Sequence, residues 1–297
     1  MADKEGTNDG KDYGLGTSFK NTGGFFVKGM DHYDWGVKTR MSRIFNPASG
    51  KTVMLAFDHG YIMGSTHGLE RLDLAVPPLV PHVDALMATR GALRSCIEPT
   101  HGKAVVLRAS AGSSVLDNDM SFENRGVDID DAIRMSADCM AIQVFVGGGG
   151  QVQSIRNLTE TVDAGNRFGI PTLGVVAVGK DMERTTRYFL LATRIIAELG
   201  AHIVKTYYCE EFEKVTAACP VPIVVAGGKK VSEKEALDMA WKAIDGGALG
   251  VDMGRNIFQA EHPSAMAQAI GKVVHSNFSA AQAYEFYCDQ KEDSSKT

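Results

Sequence analysis

Eight short apolar runs, spread along the chain, constrain its fold more than any other feature. Segments with the 3.6-residue periodicity of helices separate most of them, and several of these segments end at a glycine, as helices commonly do. Alternating strands and helices predict a parallel sheet with right-handed crossovers. The runs cover 52–58, 84–88, 104–108, 141–146, 172–178, 201–206, 222–226 and 249–253.

The number of repeats selects one α/β architecture. Eight strand–helix repeats within about 250 residues match the closed (β/α)₈ barrel, also called the TIM barrel, as a single domain with an N-terminal extension. A six-stranded dinucleotide-binding sheet is the alternative, but no Gly-x-Gly-x-x-Gly follows the first run. We expect an N-terminal tail and capping helix over 1–50, the barrel over 51–275, and a C-terminal helix and tail over 276–297.

The segment before the first strand has two parts. Residues 1–24 are too polar to bury a face, and they predict a tail or an arm that becomes ordered against a neighbouring subunit. Residues 31–45 carry apolar side chains at helical spacing. They predict an amphipathic helix that either caps the bottom of the barrel or joins a subunit interface.

Composition excludes several classes of partner. The chain has 297 residues and a formal net charge of −5, with no block of like charges that would bind nucleic acid or an anionic membrane. It has no run of 18 apolar residues and no signal-peptide pattern at its N-terminus. Its five cysteines are widely spaced, and its histidines lack the spacing of a metal site. We therefore expect a cytoplasmic protein with reduced thiols, no metal and no bound cofactor.

The sixth apolar run places a lysine near its end, in AHIVKTYY (201–208). Burying a charged amine is costly unless it is paired or neutral. The uncharged amine is the form that attacks a carbonyl carbon. Lys205 is therefore a candidate for a Schiff base, although a lysine at a strand end can also extend its amine to solvent.

Other strand ends supply groups that suit such a lysine. The first run ends in Asp58, His59 and Gly60, a pair for proton transfer unless the aspartate only caps the next turn. The seventh and eighth runs lead into glycine-rich loops with basic side chains, where many (β/α)₈ barrels bind a phosphate. The predicted phosphate ligands are Gly227, Gly228, Lys229, Gly254 and Arg255. Together these groups predict Schiff-base chemistry on a phosphorylated small-molecule ketone.

These motifs resemble the archaeal-type class I aldolases of the fructose-bisphosphate and aminodideoxyheptulosonate synthase family. The likeness covers nearly the whole chain. It is greatest to one branch of the family, the thiolases that act in the catabolism of the quorum-sensing signal autoinducer-2. The stretches that resemble this branch most are LAFDHGY (55–61), GKDMERTTRYF (179–189), KTYY (205–208), CPVPIVVAGGKK (219–230) and GVDMGRNIFQ (250–259).

The resemblance implies a (β/α)₈ barrel assembled as a ring-based homodecamer, with Lys205 at the position of the Schiff-base lysine. It also implies acetyl transfer from 3-hydroxy-2,4-pentanedione 5-phosphate to coenzyme A, a co-substrate for which no motif is visible in the chain. The chain departs from the wider family after the fifth strand, at 176–180, where the proton-carrying tyrosine of those aldolases has no counterpart.

Three alternatives remain open at this point. The first is a true class I aldolase that cleaves a ketose phosphate without coenzyme A. The second is a thiolase that forms an acyl-cysteine, for which Cys209 would be the nucleophile. The third alternative is a non-catalytic phosphosugar-binding protein, because a fold does not determine a function.

Overall fold

A closed barrel of eight parallel strands forms the centre of the molecule, as the sequence predicts. The computed structural model describes residues 25–179 and 183–294, so the predicted tail over 1–24 lies outside the described residues. The strands are β1 Thr52–Ala56, β2 Ala85–Ala88, β3 Ala104–Arg108, β4 Cys139–Val144, β5 Thr172–Val176, β6 Ile203–Tyr207, β7 Ile223–Ala226 and β8 Gly250–Met253. Strand β8 pairs with β1 to close the ring, with Thr52 opposite Gly250.

The helices surround this barrel and begin at recognisable caps. The helix over Glu233–Asp245, α9, starts with a capping box, in which the side chains of Ser232 and Glu235 each accept a hydrogen bond from the other residue's backbone N–H. The described helices are α1 Trp35–Ile44, α2 Gly60–Met63, α3 Leu72–Ala75, α4 Arg90–Cys96, α5 Ile129–Arg134, α6 Gln151–Phe168, α7 Thr186–Glu198, α8 Phe212–Ala218, α9 Glu233–Asp245, α10 Arg255–Phe258, α11 Pro263–Ser276 and α12 Ala280–Ser294, with a 3₁₀ helix over Pro77–His82. A short antiparallel ribbon joins Ser110–Ala111 to Asn124–Arg125.

Strand side chains alternate between two cores. Outward-facing residues such as Leu55 and Val204 pack against the helices. Inward-facing residues such as Met54 and Ile203 fill the bottom of the barrel. The upper part of the interior is polar, and that end, where the strands' C-termini lie, is called the mouth below.

Helix α1 covers the bottom of the barrel. Its side chains Val37, Met41 and Ile44 are buried in the same cluster as the inward-facing residues of the strands. The predicted helix over 31–45 is therefore a cap, and its Trp35 side chain remains 79% exposed. Among the described residues, no helix has both the length and the apolar character needed to cross a membrane.

Candidate active site

Lys205 points into the barrel. Strand alternation places its side chain on the inner face of β6, and the residue is only 9% exposed. Its Nζ lies 2.9 Å from Asp252 Oδ2 and 3.4 Å from Met87 Sδ. The alternative in which this lysine extends to bulk solvent is therefore wrong.

Asp252 is the partner of that amine, and sequence reasoning did not assign it to the site. It lies on β8 and is 1% exposed. Apart from the ion pair, its carboxylate oxygens have no hydrogen-bond partner among the described residues. Burial raises the pKa of Asp252, and the positive charge of Lys205 opposes that rise only in part. The available signal was a carboxylate inside an otherwise apolar strand.

Asp58 and His59 follow β1 at the mouth. Burial alone would raise the pKa of Asp58, but the charges of Arg108 and Lys205 outweigh it and hold that pKa below the usual range. His59 lies edge-on to Phe258, and its buried Nδ1 has no hydrogen-bond partner among the described residues. Burial lowers the pKa of His59, so its imidazole is neutral near pH 7 and can accept a proton.

Arg108, at the end of β3, organises a second polar cluster at the mouth. Its buried guanidinium donates to Asp58 Oδ2 at 3.2 Å and to both carboxylate oxygens of Glu123 at 3.1 Å. It also contacts the Tyr61 hydroxyl and the Gln143 side-chain oxygen. Burial raises the pKa of Tyr61, so its hydroxyl stays protonated and donates to Glu123.

The roles of Glu123, Tyr61 and Gln143 were not predicted. Arg108 is the last residue of the apolar run 104–108, a position that by itself indicates no role in a site. Glu123 comes from the ribbon region, which has no fixed place in a (β/α)₈ pattern. Its position beside Arg108 depends on a long-range contact, and no local spacing indicates that contact.

The structure brings the two predicted phosphate loops together. Asn256 Nδ2 donates to Gly227 O at 2.7 Å and to Lys229 O at 3.2 Å, so one side chain connects the loop after β7 with the loop after β8. Gly228 has a φ of +69°, a conformation that favours glycine. Arg255 has a buried Nε without a hydrogen-bond partner among the described residues, and Lys229 is exposed.

Arg184 is a further cation at this rim that the sequence did not single out. Its guanidinium carbon lies 4.0 Å from the centre of the Tyr207 ring, a cation–π contact. Its Nη1 is 3.9 Å from the position that a Cβ on Gly228 would occupy. The side chain is exposed, so it is available to an anion bound at these loops.

Gly254 allows β8 to approach His59 closely. A Cβ at this position would lie 2.3 Å from Ala56 O and 2.6 Å from His59 Cε1. Such distances are too short for real contacts, so only glycine fits without displacing the imidazole. The glycine therefore helps to position the histidine, in addition to its predicted place beside a phosphate.

Cys209 follows β6, the strand that carries Lys205, by two residues. Cys209 is buried in the outer core between strands and helices, and burial raises the pKa of its thiol. This environment disfavours the thiolate that an acyl-cysteine mechanism needs. Within 25–179 and 183–294, no group of three or more His, Cys, Asp or Glu side chains is placed to hold a metal ion.

His202 precedes β6 and is also part of the core. It is 3% exposed, and its Nδ1 accepts a hydrogen bond from the Thr172 backbone N–H at 3.1 Å. Its ring lies 4.8 Å from that of Tyr33. Burial lowers its pKa to about 4, so the ring stays neutral, as suits a structural residue.

The chain is similar in sequence to known proteins along nearly its whole length. The family model described as DeoC/LacD family aldolase matches residues 52–260. A 3-hydroxy-5-phosphonooxypentane-2,4-dione thiolase of Enterobacter sp. (strain 638) is 56% identical over 293 residues, covering 98% of this chain and 99% of the relative. The protein of the same name from Escherichia coli (strain K12) is 54% identical over 293 residues, covering 98% of this chain and 100% of the relative.

Solved structures show the same fold at lower sequence similarity. A crystal structure of an archaeal fructose 1,6-bisphosphate aldolase superimposes with a TM-score of 0.72 and 23% identity, covering 81% of this chain and 99% of that chain. A Schiff base forming fructose-1,6-bisphosphate aldolase gives a TM-score of 0.71 and 22% identity, covering 80% of this chain and 99% of that chain. Both similarities support the barrel fold.

Proposed function

Because the chain belongs to the DeoC/LacD aldolase family, we propose that it is a thiolase that acts through a Schiff base on Lys205. The reaction transfers the acetyl group of 3-hydroxy-2,4-pentanedione 5-phosphate to coenzyme A and gives acetyl-CoA and dihydroxyacetone phosphate. The names of relatives at 54–56% identity support this substrate and the thiolase type of reaction. The observation that carries the proposal is the Lys205 amine, held inside the barrel 2.9 Å from a buried carboxylate.

Binding begins at the phosphate. The backbone N–H groups of Gly227, Gly228 and Gly254 and the side chains of Lys229 and Arg255 hold its negative charge at the rim. Strand β6 lies next to β7, so the ketone nearest the phosphate reaches the amine on β6. Arg184 approaches the same rim and adds a further cation to the phosphate site.

Covalent catalysis follows at Lys205. The amine condenses with the ketone carbonyl and loses water to form an iminium. Asp252 accepts the proton that the amine must release, since its carboxylate is the group beside Nζ and burial favours its protonated form. The iminium then serves as an electron acceptor for the adjacent carbon–carbon bond.

Acetyl transfer uses that acceptor. The thiolate of coenzyme A attacks the distal acetyl carbonyl, and the bond to the central carbon breaks. The electron pair moves to the iminium and forms an enamine, which is protonated and hydrolysed to dihydroxyacetone phosphate. His59 is neutral near pH 7 and is the group we assign to proton transfer, with the ionised Asp58 as its neighbour.

Conversion of the phosphorylated dione to acetyl-CoA tests the proposal. The wild-type protein should form acetyl-CoA, and Lys205→Ala should form none. Lys205→Arg is the matched control, because it keeps a cation beside Asp252 but cannot form the iminium. Cys209→Ser should keep wild-type activity, whereas an acyl-cysteine mechanism requires its loss.

A class I aldolase without coenzyme A is the second candidate, and Tyr61 is the observation that favours it. Its protonated hydroxyl lies at the mouth beside Arg108 and offers a proton carrier that the stretch after β5 lacks. Cleavage of a ketose phosphate in the absence of any thiol would favour this reaction. If the chain is instead a non-catalytic phosphosugar-binding protein, it should turn over no ketose phosphate. Its affinity for the phosphosugar should then be unchanged in Lys205→Arg.

The cellular setting is also part of the proposal. We place the enzyme in the cytoplasm, in catabolism of autoinducer-2, with coenzyme A as a co-substrate and no bound cofactor. A homodecamer is the proposed assembly, and the exposed Phe26 and Trp35 near the bottom of the barrel support a subunit contact there. Light scattering of the purified protein measures the mass of the assembly.

A further inference from the structure

Two neighbouring cavities lie between the mouth of the barrel and the surface, and they share part of their lining. The inner one has a volume of about 160 Å³ and reaches Gln143, Glu123 and Tyr207. The outer one has a volume of about 730 Å³ and opens beside the loops that follow β4 and β5. Both are lined by Met120, Phe145 and Val178, so these three side chains lie between the two cavities and are called the neck below.

The outer cavity has an apolar wall that is unusual for an exposed loop. Val115, Leu116 and Met120 line it and are 54%, 92% and 43% exposed. A cluster of large apolar side chains around a cavity indicates a ligand with apolar surface. The carboxylates on the same loop are used locally, since Asp117 accepts from the Ser114 backbone N–H and Asp119 from that of Ser121.

A further part of the wall comes from the run of four glycines after β4, of which Gly147, Gly148 and Gly149 line the cavity. A Cβ on Gly150 would lie 1.9 Å from Ser121 O, and one on Gly149 would lie 2.9 Å from Asp119 Oδ2. Gly150 N also donates to Ser121 Oγ at 2.7 Å. The glycines therefore pack against the 119–122 segment and build the cavity wall.

The direction of the cavities matches what the proposed reaction requires. The proposed binding mode puts the phosphate at the loops after β7 and β8 and the ketone at Lys205 on β6. A substrate that continues in this direction around the barrel places its acetyl end toward β5 and β4. A thiol must reach the acetyl carbonyl from that side. The cavities open there, on the side of Lys205 away from the phosphate loops.

We propose that these two cavities bind the pantetheine arm of coenzyme A, an inference that rests on the proposed thiolase function. The arm lies in the outer cavity, and its thiol passes the neck of Met120, Phe145 and Val178. There the sulfur–carbon bond forms as the carbon–carbon bond breaks. The electron pair goes to the iminium on Lys205, and the thiol proton ends on the carbon that the acetyl group left.

Filling the neck tests this site. Met120→Trp should raise KM for coenzyme A at least tenfold, while borohydride still traps the phosphorylated dione on Lys205 without coenzyme A. Leu116→Ser, at a fully exposed position, should raise the same KM several-fold without affecting the fold. Ile97→Trp is the control, because it fills a cavity of about 310 Å³ near the bottom of the barrel.

The outcomes separate the two proposals. An unchanged KM for coenzyme A in both Met120→Trp and Leu116→Ser overturns the pantetheine site. Failure of the wild-type protein to be trapped by borohydride overturns the Schiff-base function instead. If borohydride no longer traps the dione on Lys205 in Met120→Trp but still does so in the wild type, the tryptophan has distorted the substrate site. The KM of Leu116→Ser for coenzyme A then decides the inference.

Discussion

Asp252 Oδ2 lies 2.9 Å from Lys205 Nζ, although the two residues belong to strands separated by β7. Inward-facing positions on strands that are not neighbours come together only because the sheet is closed. The contact between Asp252 and Lys205 therefore depends on closure of the barrel. It gives the amine a buried proton acceptor that bulk water would not provide.

Replacing that acceptor should impair chemistry more than binding. Asp252→Asn keeps the shape of the side chain but cannot take a proton from the amine, so we expect kcat to fall by about 10²-fold with a small change in KM. Steady-state kinetics measure both constants. Asp238→Asn is the matched control, since its carboxylate is an exposed partner of Lys242 on α9. If Asp252→Asn kept the kcat of the wild type, Asp252 would have no role in the mechanism.

The pH profile should report His59. Its pKa in the folded protein is below 6.5, mainly because of burial, so the imidazole remains neutral until the pH falls beneath that value. The acid limb of kcat/KM should therefore have a midpoint below pH 6.5. His59→Gln should lower the rate by about 10²-fold and lose that limb. If the acid limb of kcat/KM persists unchanged in His59→Gln, a group other than His59 causes it.

Asp58 should contribute stability in a defined pH range. Its pKa is lower in the folded protein than its ordinary value of 3.8, so the folded state binds this proton less readily than the unfolded chain. The contribution is present above pH 3.8 and is lost as the pH falls through the folded value. Asp58→Asn should cost about 1–3 kcal/mol at pH 7, with a smaller difference at pH 3. Thermal unfolding at both pH values measures it, and an equal difference at both would contradict the assignment.

Gly254 should be intolerant of even a methyl group. Gly254→Ala places a Cβ against Ala56 O and His59 Cε1, so the histidine must shift and activity should fall at least tenfold. Gly271→Ala is the control, because nothing lies within 4 Å of its Cβ on helix α11. That variant should be stabilised by about 0.5–1 kcal/mol and remain fully active. Activity assays and melting curves compare the two.

The sequence predicts the fold well because the barrel is a repeated local pattern. All eight strands appear, and the largest shift is in β4, which runs Cys139–Val144 where the sequence predicts 141–146. Lys205 was recognisable because a lysine in an apolar strand is locally anomalous. Asp252 is a carboxylate in an apolar strand and is anomalous in the same way, although the strand pattern assigns it no role.

Other parts of the site have no local signature. Glu123 meets Arg108 only through the folded ribbon, and Arg184 reaches Gly228 from the loop that precedes α7. The cavity at Met120 and Phe145 joins two segments that are distant in sequence. Such contacts depend on loop conformation, which hydrophobic periodicity does not encode.

Borohydride trapping of the wild-type protein with 3-hydroxy-2,4-pentanedione 5-phosphate, followed by mass mapping, tests the central claim most directly. Reduction of the iminium should attach the substrate carbon skeleton to the peptide that contains Lys205, and Lys205→Arg should show no such adduct. An enzyme that forms acetyl-CoA while Lys205 stays unlabelled, or that labels a different lysine, would contradict the account.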